Sequence, residues 1–265
     1  MGMADIGVHV LFCKLHEDVA CRNDLLGLLS GPEQVRAKRI RCASSARSFI
    51  CSHVLLRLLL ARQMRCAAQD VQFAVGRFGK PLLSGGKAGL HFNLSHTQGM
   101  VGVAWANVPV GFDVEARLVN EPVALAQACF NEDEVQGVMG SVQPEYMFRQ
   151  YWVMKEAAMK ALGVGLLRPM SVVGVADVPM NQGWQPLVCS EAGLPGSGER
   201  GVQKRMCAQW VDVFQEKNET YSWDAAVAAV IPDVHEGEIN PLKVERIDEV
   251  QLHQWAEKYR DVCAA

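Results

Sequence analysis

The stretch Val110-Gly111-Phe112-Asp113-Val114-Glu115 alternates with a period of two, which is the pattern of a β-strand. Its three apolar side chains point to one face of a predicted β-strand, and Gly111, Asp113 and Glu115 point to the other. Carboxylates two residues apart on a strand have Cα atoms about 7 Å apart. Like charges this close are costly unless something neutralises them. Two interpretations stay open: a solvent-facing strand with two ordinary acids, or a site for a hard cation such as Mg²⁺.

A helix is predicted downstream, from Glu145 to Leu162, with Gly163 as its terminator. Trp152, Glu156 and Lys160 are spaced at i, i+4 and i+8, so they share one helix face. The simplest interpretation of Glu156 and Lys160 is an exposed ion pair. Because a Trp on the same face indicates that the face is partly covered, the alternative is a partly buried acid and base close to Asp113 and Glu115.

The two halves of the chain have the same predicted order, a long helix followed by about three strands. The first helix spans Ala46 to Met64, and the strand-like stretches are Val71–Val75, Leu90–Leu94 and Met100–Ala106, then Val172–Val175, Met206–Phe214 and Trp223–Ile231. We predict an α+β fold: a pseudo-twofold monomer of two similar halves, residues 1–107 and 108–265, each a long helix packed on a small, mostly antiparallel sheet. Beyond Pro232 we expect irregular chain and a short helix near Val250–Tyr259.

Composition narrows the class of protein. The 265 residues are 49% hydrophobic with a net charge of −3, which is typical of a globular protein and gives no global basic field for nucleic acid. No apolar run is long enough to span a bilayer, and the N-terminus lacks the features of a signal peptide. The nine cysteines are odd in number and form no Cys-x-x-Cys pair, so we expect reduced thiols and a cytoplasmic protein.

Charge is distributed unevenly along the chain. Residues 31–65 contain eight Lys and Arg against one acid, whereas residues 111–156 contain eight acids against three bases. Solvated helix faces would explain both segments. A basic wall facing an acidic, metal-binding wall would also explain them, and it would suit a polyphosphate ligand bound with a cation.

Two further motifs carry polar groups at strand ends. Leu90-His91-Phe92-Asn93-Leu94-Ser95-His96 places a hydroxyl and an imidazole where a strand ends, although turn residues alone would explain the pair. Adjacent Ser95 and His96 do not favour a Ser-His-Asp hydrolase. Gly76-Arg77-Phe78-Gly79-Lys80-Pro81 is either a basic turn or a turn whose backbone and Lys80 approach a phosphate; it lacks the Walker pattern.

Taken in order, these motifs resemble those of the surfactin-type (Sfp-type) 4′-phosphopantetheinyl transferases. The matching elements are Gly79-Lys80-Pro81, Phe92-Asn93-Leu94-Ser95-His96, Gly111-Phe112-Asp113-Val114-Glu115 and Trp152-x-x-Lys155-Glu156-Ala157-x-x-Lys160. The resemblance covers about residues 32–165, with weaker likeness in Trp223–Val230. Each motif alone is weak, but four in the order and spacing of the family are a strong signal.

The resemblance implies a magnesium-dependent monomer that moves phosphopantetheine from coenzyme A to a serine of an apo carrier protein and releases 3′,5′-ADP. It implies that Asp113, Glu115 and Glu156 are magnesium ligands, and that Glu156, Lys160 and His96 are catalytic. The implied coenzyme A contacts are Gly79, Lys80, Ser95, His96, Asp113 and Lys160. For the 3′-phosphate the family pattern points to Arg36, with Lys38 and Arg47 as alternatives.

Two competing functions are weighed against this one. The first is another magnesium-dependent enzyme that acts on nucleotide diphosphates. The second is an inactive module that only binds carrier proteins, although such a module has no chemical reason to retain Asp113, Glu115, Glu156 and Lys160. The sequence does not identify the carrier, which could belong to a peptide synthetase, a polyketide synthase, fatty-acid synthesis or lysine synthesis.

Overall fold

The protein combines α-helices with two larger β-sheets, so the predicted α+β class is confirmed. The computed structural model describes residues 5–16, 23–85, 89–116, 119–164, 168–175, 183–189, 205–211, 213, 223–231 and 239–261. The helices are α1 (Asn23–Leu26), α2 (Gly31–Arg39), α3 (Ala43–Met64), α4 (Pro122–Cys129), α5 (Glu132–Met139), α6 (Pro144–Leu162) and α7 (Glu249–Asp261).

The first sheet has the strand order β11-β1-β5-β4, and only its β1–β11 pair is parallel. Its strands are β1 (Val8–Lys14), β4 (His91–Thr97), β5 (Met100–Ala106) and β11 (Lys243–Asp248). A separate hairpin pairs β2 (Phe73–Val75) with β3 (Pro81–Leu83).

The second sheet is antiparallel, with the order β6-β10-β9-β8-β7. It consists of β6 (Val110–Ala116), β7 (Val173–Val175), β8 (Gln185–Cys189), β9 (Arg205–Val211) and β10 (Trp223–Ile231). β4 ends the first sheet and β6 ends the second, and these two end strands lie side by side.

The structure packs in four layers, which are α3, the first sheet, the second sheet and α6, so each sheet buries both of its faces. One apolar cluster lies between the sheets and includes Phe12 and Phe112, whose rings meet edge to face at 5.5 Å. On the outer face of the first sheet a second cluster joins it to α3, and on the outer face of the second sheet a third cluster joins it to α6. The site described below lies where the layers of the two sheets meet.

Two long helices, α3 and α6, each cover one sheet, in line with the predicted architecture. The pseudo-twofold relation and the division at residue 107 stay predictions. The C-terminal segment differs from the expected irregular chain in one strand, because β11 pairs with β1. The short helix predicted near Val250–Tyr259 is present as α7 and packs on α3. The sequence does not predict β11, because β11 is an edge strand in which only the Ile247 side chain is buried, so apolar and polar residues do not alternate.

None of the helices among the described residues combines the length and the apolar composition that a bilayer-spanning segment requires.

Candidate active site at the junction of the two sheets

Side chains of β4 join the first sheet to β6 of the second. The Asn93 Oδ1 atom accepts a hydrogen bond of 2.8 Å from the backbone N–H of Phe112. Two residues further along, the Ser95 hydroxyl donates to Asp113 Oδ1 at 2.9 Å. These contacts pair residues of the two end strands in register, so Asp113 is held against Ser95 in a buried position.

Gly111 allows α6 to lie directly against β6. A Cβ atom at this position would be 1.9 Å from the carbonyl oxygen of Ala157 and 2.2 Å from the backbone nitrogen of Ala161. Any side chain would therefore push the helix away from the strand. The close approach brings Glu156 and Lys160 to the polar side of β6, where Asp113 and Glu115 point.

The helix residues Trp152, Glu156 and Lys160 form one partly exposed line. All the remaining residues from Tyr151 to Ala161 are buried. The three therefore lie on a common face, and that face opens toward the strand that carries the two carboxylates. The Trp152 side chain hydrogen bonds with Glu115 across this opening.

Lys160 connects the carboxylates at the centre of the site. Its ammonium donates to Asp113 Oδ1 at 2.5 Å and to Ser95 Oγ at 3.2 Å, and it lies 3.8 Å from Glu156 Oε2. The second oxygen of Asp113, Oδ2, is buried and has no hydrogen-bond partner among the described residues. A buried carboxylate oxygen without a partner is uncommon, so this atom requires an explanation.

The pKa values of Glu115 and Glu156 are raised, as expected for partly buried carboxyl groups close to other carboxylates. Burial, reinforced by the charge of Asp113, raises the pKa of Glu115 to about 7. Burial also raises the pKa of Glu156, although the Lys160 charge opposes that shift. Carboxyl groups with a raised pKa bind protons more readily than ordinary ones. A metal ion bound in addition to the Lys160 ammonium would compete with those protons.

A divalent cation fits these donors by their chemistry. Asp113, Glu115 and Glu156 supply carboxylate oxygens, the ligands that Mg²⁺ prefers, and Asp113 Oδ2 is the buried oxygen that lacks a partner. As the side chains stand, however, the described residues contain no group of three or more His, Cys, Asp and Glu that could hold a metal ion. The Lys160 ammonium occupies the space between Asp113 and Glu156 instead.

Lys80 lies beside the site but is engaged with the backbone. Its ammonium donates to the carbonyl oxygens of Val110, at 2.9 Å, and of Lys160, at 2.6 Å. It thereby links β6 to the last turn of α6, where a positive charge complements the helix dipole. Gly79, with φ of +87°, forms the turn before Lys80 and leaves open space where a side chain would stand.

The remaining predicted residues differ in their surroundings. His96 is exposed, and partial desolvation together with the Lys160 charge lowers its pKa. The exposed Arg36 guanidinium lies 5.1 Å from the centre of the Phe49 ring. Arg47 is instead paired with the carboxylate of Glu249, which is fully buried. Lys38 is exposed on α2.

Comparison with known proteins shows which family the chain resembles. A family model described as the 4′-phosphopantetheinyl transferase superfamily matches residues 109–194. HetI, a 4′-phosphopantetheinyl transferase of Nostoc sp., is 30% identical over 61% of this chain and 70% of the relative.

The chain belongs to the 4′-phosphopantetheinyl transferase superfamily. The same family includes a putative 4′-phosphopantetheinyl transferase of Synechocystis sp., which is 28% identical over 86% of this chain and 88% of the relative. It also includes Sfp of Bacillus subtilis, which is 27% identical over 57% and 67%. The predicted family and the prediction of an enzyme of this family are confirmed.

Two residues of this phosphopantetheinyl transferase site were not predicted to be functional. Asn93 and Thr97 flank Ser95 on β4, and both hydrogen bond to backbone N–H groups of β6. Their sequence signal is their period-two spacing with Ser95 in the strand, since residues at i, i+2 and i+4 of a strand share one face.

Proposed function

We propose that this protein transfers 4′-phosphopantetheine from coenzyme A to a serine of an apo carrier protein, in a reaction that requires Mg²⁺ and releases 3′,5′-ADP. The observation that carries the proposal is the cluster of Ser95, Asp113, Glu156 and Lys160 at the sheet junction. It occurs in a member of a family whose curated relatives are named for phosphopantetheine transfer. The proposal includes a monomer that acts in the cytoplasm.

The chemistry is the attack of an alcohol on a phosphoanhydride, which forms a phosphate ester and releases a phosphate leaving group. The carrier serine oxygen forms a bond to the β-phosphorus of coenzyme A, and the bond from that phosphorus to the bridging pyrophosphate oxygen breaks. The electron pair of the broken bond leaves with 3′,5′-ADP. Catalysis of such transfers depends mainly on positioning and on neutralising charge.

Glu156 is the proposed base for the serine hydroxyl, directly or through a water molecule. It is partly exposed on the open face of α6, so a hydroxyl can reach it. Its raised pKa, caused mainly by burial, makes it a stronger base than an ordinary carboxylate.

Lys160 and His96 are proposed to stabilise the pyrophosphate and the leaving group. Lys160 carries a positive charge on a long side chain that is 29% exposed, so it can reach a phosphate. The lowered pKa of His96 favours a neutral imidazole near pH 7, which would contribute a hydrogen bond and not a charge.

Mg²⁺ would be held by Asp113, Glu115 and Glu156, and it would neutralise negative charge on the pyrophosphate. The hydrogen bond from Ser95 fixes Asp113 in its buried position, and the partly buried Glu115 and Glu156 would supply the other two carboxylates. Asp113 then presents its unpartnered Oδ2 as a ligand atom.

Coenzyme A is proposed to extend from this site toward α2. Gly79 and Lys80 would lie beside the pyrophosphate, with Lys80 held at the end of α6. Arg36 is the proposed contact of the 3′-phosphate, because its exposed guanidinium, 5.1 Å from the centre of the Phe49 ring, is accessible to a ligand. Arg47 is a weaker choice because its guanidinium already neutralises buried Glu249.

The test is incubation with coenzyme A, Mg²⁺ and a panel of apo carriers from peptide, polyketide, fatty-acid and lysine synthesis. Intact-mass spectrometry should show one added phosphopantetheine on at least one carrier, and none on the same carrier with its acceptor serine changed to Ala. Release of 3′,5′-ADP should match the amount of modified carrier. Absence of transfer to every carrier, in a folded enzyme that binds coenzyme A, would favour an inactive binding module.

A further inference from the structure

The Lys160 ammonium occupies the position at which the three carboxylates could otherwise meet. It lies 2.5 Å from Asp113 Oδ1 and 3.8 Å from Glu156 Oε2, and its charge also acts on Glu115. The lysine thus neutralises the same carboxylates that a metal ion would use.

Two cations cannot share this space without a cost. Charges of the same sign a few ångströms apart repel strongly at the effective dielectric constants of protein sites. In agreement, the described side chains contain no ready group of three His, Cys, Asp or Glu ligands.

We propose that Lys160 is an internal counter-ion that closes the metal site in the ligand-free enzyme, and that the pyrophosphate of the donor opens it by drawing the ammonium away. Metal and donor then bind cooperatively, and the metal alone binds weakly. This inference rests on the proposed function, because it takes coenzyme A as the anion that moves Lys160.

The contacts of Lys160 allow such a movement. Its side chain is 29% exposed, whereas Asp113 is only 3% exposed, so the lysine is the mobile partner. When the ammonium leaves, Asp113 Oδ1 keeps its hydrogen bond from Ser95, and the aspartate stays in place. Its Oδ2 atom, which has no described hydrogen-bond partner, then faces an incoming cation without the competing charge.

Thermodynamic linkage makes the proposal quantitative. If coenzyme A raises the affinity for the metal by some factor, the metal must raise the affinity for coenzyme A by the same factor. Removing the Lys160 charge should open the site in advance, so that this coupling factor falls toward one.

The experiment measures Mn²⁺ binding from the electron paramagnetic resonance signal of the free ion, with no carrier present. Wild-type enzyme should bind Mn²⁺ weakly alone and more tightly with coenzyme A. Lys160→Met should bind Mn²⁺ alone about tenfold more tightly than wild type, a typical size for one coupling. Lys258→Met, which removes one exposed charge of α7, is the control and should bind Mn²⁺ like wild type.

Lys160→Gln provides a second variant, because Gln removes the charge but can still donate a hydrogen bond to Asp113. Unchanged or weaker Mn²⁺ binding in both Lys160 variants would overturn the counter-ion role. Transfer by the wild-type enzyme is the separate readout. Tighter Mn²⁺ binding by the Lys160 variants, together with no carrier modification by the wild-type enzyme, would support the counter-ion role and contradict the proposed reaction. Normal transfer with unaltered Mn²⁺ affinity in both variants would exclude both the counter-ion role and the catalytic role of Lys160, and would leave the proposed reaction itself standing.

Discussion

Helix α6 carries two lysine–carboxylate pairs that lie five residues apart and differ in their surroundings. Lys155 is fully buried, and its ammonium donates to both oxygens of Glu134, at 2.7 and 2.6 Å, and to the carbonyl oxygen of Val173. Lys160 is partly exposed, and its contacts with Asp113, Ser95 and Glu156 spread from 2.5 to 3.8 Å.

The carboxylates show the same contrast. Glu134 also accepts hydrogen bonds from the backbone N–H groups of Asn131 and Val175, so both of its oxygens have several donors. Asp113 has one oxygen with two donors and one with no described partner. A fully satisfied buried network favours one rigid structure, whereas an incomplete one leaves capacity for a ligand. We therefore expect the Lys155 pair to maintain the fold and the Lys160 pair to take part in the proposed reaction.

The largest effect is expected for Asp113→Ala, which removes the carboxylate of the incomplete pair. Transfer should fall below detection, because Mg²⁺ would lose one of its proposed ligands and the pyrophosphate would lose the positive charge that Mg²⁺ supplies. Thermal melting should change little, since Lys160 can turn its ammonium to solvent. Activity near that of wild type at saturating Mg²⁺ would exclude Asp113 from the site.

Lys155→Met should instead destabilise the protein, because Glu134 would remain buried without its cation. Breaking a buried ion pair in this way typically costs about 3–5 kcal/mol of unfolding free energy. Urea denaturation followed by circular dichroism measures the loss, and single turnover below the melting transition should be nearly normal.

The matched control for Lys155→Met adds Glu134→Gln to it. Gln still accepts the hydrogen bond from Val175 but carries no charge, so the double variant should recover part of the lost stability. A double variant no more stable than Lys155→Met would show that the loss does not come from an unpaired charge.

Glu156→Gln keeps the shape of the side chain and removes its charge from the reactive face. Turnover should drop by roughly 10²-fold or more, the usual scale for loss of a general base. The melting temperature should stay close to that of wild type, because Glu156 lies on the partly exposed line of α6. Full turnover in this variant would rule out Glu156 as the base.

Arg36→Ala should produce the smallest of these effects, and one confined to the donor. The Michaelis constant for coenzyme A should rise about tenfold or more, from the roughly 1.5–3 kcal/mol of a charge-assisted phosphate contact. For 3′-dephospho-coenzyme A it should barely change. Lys38→Ala, on the same helix, is the matched control and tests the alternative contact; it should leave both Michaelis constants unchanged. Equal effects of Arg36→Ala on both donors would show that Arg36 does not contact the 3′-phosphate.

Local pattern was sufficient to predict the main helices and most strands. The helix predicted over Glu145–Leu162 is Pro144–Leu162 in the structure and ends at Gly163, whose φ is +70°. β11 was not predicted, because its polar edge has little alternation and its partner β1 lies more than 230 residues away in the chain. Strand pairing of that kind depends on tertiary packing, which a local pattern does not contain.

For the candidate site, sequence spacing predicted which side chains share a strand or helix face, but it did not predict their contacts. Period two placed Asp113 and Glu115 on one strand face, and helical spacing placed Glu156 and Lys160 on one helix face. The hydrogen bond between Ser95 and Asp113 joins end strands of different sheets, so no spacing rule indicates it. Arg47 likewise looked equivalent to Arg36 until the structure paired it with Glu249, 202 residues away.

The most direct test compares Lys160→Met with Lys155→Met in one experiment, measuring single-turnover transfer to an apo carrier and thermal melting of each. Lys160→Met should transfer much more slowly, with a smaller change in coenzyme A affinity and nearly normal melting, because its charge matters most as the leaving phosphate becomes more negative. Lys155→Met should melt at a clearly lower temperature and transfer at a nearly normal rate below that temperature. A large loss of melting temperature in Lys160→Met, with a proportionate loss of transfer, would contradict the account and make both lysines structural.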